Sequence, residues 1–173
     1  RQGGNVWYVD FGNMNWNLTG KTFMNYVRCV RDIWSGTRQL GTSSSENGLG
    51  MVADSENNIY VTGFTRGGLD GNTNSGSDDI FLVKYNSSGK KWTKQLGSSE
   101  SEYGEGVAVD SSNNIYVTGF TKGGLDGNTN SGNDDIFLVK YNSSGVKQWT
   151  KQLGSTAPDG GKGVVVDSSN NIY

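Results

Sequence analysis

The 36 residues from Asp110 to Gly145 restate, almost word for word, residues 54–89, and a third copy opens at Asp167. Asp54 and Asp110 lie 56 positions apart, and Asp110 and Asp167 lie 57 apart. A fixed period of this length describes a unit that cannot bury its apolar surface alone and must stack on its neighbours. The repeat therefore constrains architecture far more tightly than it constrains activity.

Each unit reads as four short strands. The first is residues 50–54, 106–110 and 163–167, and an Asn-rich turn suited to positive φ follows each. The second is 59–65 and 115–121, and a long Gly/Asn/Ser/Asp loop leads to the third, 79–85 and 135–141. An Asn-Ser-Ser-Gly turn then leads to a fourth at 93–97 and 150–154, of which 37–41 is an additional copy. Reversals of this kind build an antiparallel meander.

Side-chain alternation decides how the meanders pack. Ile80 and Leu82 oppose Phe81, Val83 and Tyr85, while Ile59 and Val61 oppose Tyr60 and Phe64. A sheet with one wet face would place polar residues at alternate positions. These strands are apolar on both faces, so each sheet needs a neighbour on each side. Four-stranded sheets stacked face to face predict an all-β fold, a partial β-propeller of about 2.5 blades. The expected blades are 42–97 and 98–154, with a partial blade at 155–173. An unclosed arc would bare about 500 Å² of apolar surface at each end, about 12 kcal/mol of lost burial, so self-association through open blade faces is expected.

Composition fits this picture. Gly occurs 27 times and Pro once, and abundant Asn, Ser, Val, Ile and aromatics suit short strands with tight turns. A net charge of −2 with no basic run argues against nucleic acid. No apolar run reaches the roughly 18 residues of a membrane span. With no His and only one Cys, His-dependent triads, ordinary zinc sites and internal disulfides are excluded. Cys29 reads as a buried, inert thiol, the alternative being a partner upstream of Arg1. The chain opens on Arg1 and stops inside a repeat, and is expected to be a piece of a longer protein.

Residues 1–32 stand outside the repeat. Val6-Trp7-Tyr8-Val9-Asp10-Phe11 alternates, an Asn-rich patch follows, and Tyr26-Val27-Arg28-Cys29-Val30-Arg31 makes a second strand. This pair resembles the last two strands of the C-terminal domain family of collagen-like adhesins, related to C-type-lectin-like and formylglycine-generating-enzyme folds. The resemblance implies surface attachment or carbohydrate binding for a parent protein. The repeat, through Trp-Thr-Lys-Gln-Leu-Gly, Asn-Ile-Tyr-Val-Thr-Gly-Phe-Thr and Phe-Leu-Val-Lys-Tyr-Asn-Ser-Ser-Gly, is similar to the SBBP family of bacterial β-propeller repeats across residues 37–173. That similarity implies a secreted or cell-surface bacterial protein with no established catalytic activity.

Candidate sites lie on the disc face carrying the long loops. The loops after Gly41, Gly97 and Gly154 diverge between copies, which nominates Asn47, Glu102, Tyr103 and Asp159 as a ligand face for a protein or a glycan. Ordinary drift of solvated loops is the plainer account. Asp70, Asn72, Asn74 and Asp78, with their copies Asp126, Asn128, Asn130 and Asp134, offer hard oxygens at alternating positions, so calcium is considered. Turn capping explains the same residues. The pairs Asp78-Asp79 and Asp134-Asp135 project to opposite faces and recur in each copy, as a fold requirement would. Asn17, Asn86 and Asn142 open glycosylation sequons that read as plain turns. The function expected is a non-catalytic adhesion or interaction module. The alternatives are a polysaccharide-cleaving propeller with its catalytic residues elsewhere, and a structural spacer.

Overall fold

A computed structural model describes residues 38–173. The hairpin expected over 1–32, Cys29 and the start of the strand at 37–41 lie outside the described residues. Eight strands form two antiparallel sheets in plain meander order. One is β1 (Glu46–Ala53), β2 (Ile59–Thr65), β3 (Asp79–Asn86) and β4 (Gly89–Leu96); the other is β5 (Glu102–Val109), β6 (Ile115–Thr121), β7 (Asp135–Tyr141) and β8 (Lys147–Leu153). Both sheets are propeller blades, as the repeat implies.

Turn chemistry sets the register. Asp54 Oδ1 accepts from the backbone N–H of Glu56 and Asn58, and its Oδ2 accepts from Asn58 Nδ2 and the Tyr60 hydroxyl. Asp110 and Asp167 repeat the arrangement. Asn57, Asn113 and Asn170 take the positive φ that the reversal demands, a conformation Asn tolerates better than most residues.

The two-faced pattern resolves into separate cores. Tyr60, Ile80 and Leu82 of the first blade meet Val107, Ile115, Val117, Phe137 and Val139 of the second, with Trp92 and Leu96 packed alongside. The opposite face of the first blade gathers Ile59, Val61, Phe81, Val83 and Tyr85, and Leu40 packs there. Leu40 thus relates to the first blade as Leu96 relates to the second. Bare faces were expected at both ends: on the first blade's outer face β2 and β3 are buried but Met51 of β1, opposite Val61, is 40% exposed, and beyond the second blade Leu153 is 75% and Val165 63% exposed.

β1 and β5 are the inner strands, and glycine lets them converge. A Cβ on Gly50 would lie 2.9 Å from Glu105 O and 3.3 Å from Gly106 Cα; one on Gly106 would lie 2.9 Å from Gly163 Cα. Successive inner strands touch backbone to backbone, as wedge-shaped blades must near a common axis.

Candidate functional site

Strands β1 and β5 begin four residues earlier than the alternation suggests. Their ladders skip a residue between Gly48 and Gly50, and between Gly104 and Gly106. The extra residue is a β-bulge, which breaks the period-two pattern and re-aims a side chain. Consequently Asn47, Glu102 and Tyr103, expected in loops, stand in strands. Asp159 occupies the matching position of the third copy, in irregular backbone.

Glu102 is a correction to the expected ligand face, because it is 0% exposed. Its carboxylate clasps the loop entering the blade: Oε2 accepts from Ser98 N–H at 2.8 Å, and Oε1 accepts from Ser98 Oγ at 2.5 Å and Thr121 Oγ1 at 2.9 Å. Glu46 does the same with Thr42 and Thr65, and Asp159 with Ser155. Burial pushes the Glu102 carboxyl above its ordinary range; the Ser98 and Thr121 donors oppose this and the nearby Asp79 carboxylate adds to it.

The neighbouring position is different in kind. Tyr103 stacks on Phe120 with ring centres 4.8 Å apart and meets Phe64 of the preceding blade edge-on at 4.7 Å. Its hydroxyl donates to Asp78 Oδ2 at 2.9 Å. Asp78 also accepts from Arg66 Nε and Ser101 Oγ. Burial would raise the Asp78 carboxyl, but these donors and the Arg66 charge outweigh it and hold the group below its usual value. Burial and the bond to Asp78 raise the Tyr103 phenol. Tyr103 thus fills the seam between two blades.

The bulge residues themselves, Leu49, Glu105 and the matching Lys162, were missed by sequence reasoning. Leu49 is 37% exposed, and the Lys162 ammonium reaches Glu105 Oε1 at 3.1 Å and sits 5.5 Å over the Phe120 ring. The signal that could have found them is the Gly-x-Gly frame, residues 48–50, 104–106 and 161–163, whose middle residue alone changes. One apolar, one acidic and one basic side chain thus stand in a row at the inner rim, one per copy.

The calcium residues are placed as follows. Asp70, at positive φ within the 3-10 turn Leu69–Gly71, accepts from Lys90 Nζ and Thr93 Oγ1. Burial would raise the Asp70 carboxyl, but the Lys90 and Thr93 bonds prevail and hold it below its ordinary range. Asn72 Nδ2 donates to Leu69 O and Asn74 Nδ2 to Gly76 O, both within the loop. Asp126 accepts from Lys147 and Thr150 in the same way, Asn128 Nδ2 donates to Leu125 O, and Asn130 Nδ2 donates to Lys122 O. Asp78 faces Arg66 and the next blade, and Asp134 lies at the corresponding seam. The structure therefore does not bring Asp70 and Asp78 together. Among the described residues no three of His, Cys, Asp or Glu gather as a metal would need. Asp79 and Asp135 are fully buried and accept from loop N–H groups and from Gln95 and Gln152.

Comparison with known proteins agrees with this architecture. The chain is 27% identical over 181 residues to an uncharacterized WD repeat-containing protein of Acanthamoeba polyphaga mimivirus, covering 82% of this chain and 13% of that protein. It is 28% identical over 156 residues to the regulatory protein FlaEY of Caulobacter vibrioides, covering 82% of this chain and 16% of that protein. The chain thus spans less than a fifth of either relative. The family described as beta-propeller repeat, SBBP, matches residues 91–126 and 148–173, which places its signature on both sides of the β7 hairpin and onto the third copy.

Proposed function

We propose that this chain is a non-catalytic interaction module that holds a protein or glycan partner on its inner rim, in a protein secreted or displayed at a bacterial surface for adhesion. The observation that carries the reading is the variable row Leu49, Glu105 and Lys162, each set in a Gly-x-Gly frame whose Gly50, Gly104, Gly106 and Gly161 leave no room for a Cβ. A fold that holds its frame constant while one projecting position changes chemistry from copy to copy is built to present side chains. The carboxylates at and near the rim have partners: Glu105 pairs with Lys162, Glu102 accepts from Ser98 and Thr121, and Asp78 accepts from Arg66 and Tyr103. None has the free geometry of a general acid with its base. The resemblance of residues 1–32 to a lectin-like terminal hairpin favours the surface setting, and the SBBP likeness favours the bacterial one.

The test is binding of the immobilised chain to a panel of bacterial surface glycans and surface-protein fractions, with product analysis of the same mixtures. Saturable binding that a Leu49→Ala, Glu105→Ala, Lys162→Ala triple variant loses at least tenfold, with every ligand recovered intact, is the expected result. Released products would support the polysaccharide-cleaving alternative, and binding equal in the variant would remove the rim from the account.

A further inference from the structure

We infer that the peripheral edge of the blades is a docking strip for a linear anionic polysaccharide, a glycan whose carboxylates meet a row of lysines. Charge is segregated by strand. β1, β2, β5 and β6 hold no Lys or Arg, and their charged residues are Glu46, Glu102 and Glu105. β4 and β8, at the opposite end of each sheet, hold five Lys and no acid. Charge of either sign would blunt an exposed strand edge against mispairing. A single sign does more, because it builds a field that attracts a ligand of the other sign.

Local geometry turns that field outward at the seam between the two complete blades. The β3–β4 ladder pairs Lys84 with Trp92 and Tyr85 with Lys90, so Lys91 is the extra residue of a bulge, and it is exposed. A Cβ on Gly145 would lie 2.8 Å from Lys94 Cε and 3.0 Å from the Trp92 ring. The Lys94 stem thus lies along the turn that opens β8 in the next blade, and the strip continues across the seam to the exposed Lys147. Asp70 and Asp126 hold Lys90 and Lys147, but among the described residues Lys91 and Lys94 make no ion pair. The donors set the class of ligand. Lysine ammoniums are point charges suited to isolated carboxylates, and the Arg fork that grips phosphate is absent from β4 and β8. Trp92 and Trp149 pack on the cores, so these indoles are not offered for the base stacking that single-stranded nucleic acid needs. The turns that open the two strands add the exposed Ser87, Ser88, Ser143 and Ser144, whose hydroxyls match those of a sugar as donors and acceptors.

This strip is separate from the inner rim and does not rest on the reading of it. The whole chain is titrated calorimetrically with a mannuronate hexasaccharide at about 20 and about 150 mM NaCl. A neutral mannose hexasaccharide, a hexaglutamate peptide and a thymidine hexanucleotide are titrated beside it. Saturable binding of the mannuronate, weakened about threefold or more by the added salt, is expected. The neutral glycan should not bind, and the peptide and nucleotide should bind about tenfold more weakly. Lys91→Gln with Lys94→Gln should weaken mannuronate binding about fivefold, as two lost surface ion pairs imply. The same variant should melt within about two degrees of the wild type. Lys122→Gln, at an exposed lysine in the loop after β6, should bind as the wild type does. No binding, binding indifferent to salt, equal binding of the neutral glycan, or undiminished binding by the double variant would overturn the strip. Equal binding of the peptide or the nucleotide would overturn its assignment to a glycan. Mannuronate binding that the rim variant retains, alongside a blank partner panel, would fault the rim alone.

Discussion

At the scale of single residues, the side chains of the loops and bulges that open each inner strand divide into a structural set and a displayed set. Glu46, Glu102 and Asp159 belong to the first, since each accepts from the Ser or Thr four residues before it. The Glu102 carboxyl is raised in the folded chain, so between its ordinary value, 4.5, and its folded value the native state binds more protons than the unfolded state. Its contribution to stability therefore falls as pH rises through that window. Asp78 and Asp110 act with the opposite sign: donors hold both below 3.8 against the effect of burial, so their contribution is present above 3.8 and is lost as pH falls through the folded values. Thermal melts of the wild type and of Glu102→Gln from pH 3 to 8 should show a smaller decline above pH 4.5 in the variant, with the acid limb unchanged. Identical profiles would contradict the assignment. At Gly119, a Cβ would lie 1.8 Å from Tyr103 O, a backbone atom that cannot step aside. Gly119→Ala should cost at least about 3 kcal/mol in denaturant unfolding, the upper range of overpacking, whereas Gly160→Ala, with open space around it, should stay within about 0.5 kcal/mol.

At the scale of elements, the turns and the ladders were legible in the sequence and the bulges were not. Asn57 and Asn113 take the positive φ expected of them, and Ile80 and Phe81 fall into different cores as alternation requires. The starts of β1 and β5 were hidden because one inserted residue flips the alternation. Leu49 and Glu105 consequently read as loop when they are the projecting positions of a strand. The oxygen-rich loop at residues 70–78 was legible as composition only. Which partner Asp70 or Asp126 finds depends on β4 and β8, 20 to 24 residues downstream, where Lys90 and Thr93 or Lys147 and Thr150 stand. The Asp110 turn offers an element-scale test. Asp110 accepts from Ser112, Asn114 and Tyr116, so Asp110→Ala should destabilise the chain by about 2 kcal/mol. Asp167→Ala, on an exposed turn with the same bonds, should leave the melting temperature within a degree or two of the wild type.

At the scale of the whole molecule, the two complete blades bury what the single strand and turn of the third copy leave exposed. Tyr60 is 0% exposed and Tyr116 2%, but their counterpart Tyr173 is 71% exposed. Gly50 and Gly106 each have the next inner strand against them, while a Cβ on Gly163 would meet nothing within 4 Å. An apolar surface of this kind recruits cover. The chain should self-associate in a concentration-dependent way, and Leu153→Lys with Val165→Lys should raise the concentration required at least tenfold in sedimentation equilibrium. The stacking itself is tested most directly by nuclear Overhauser contacts across the two seams. The account predicts cross-peaks between the Phe64 and Tyr103 rings, and between the Hα protons of Gly106 and Gly163, together with the within-blade pair Tyr103 and Phe120. Within-blade cross-peaks without any between blades would contradict it.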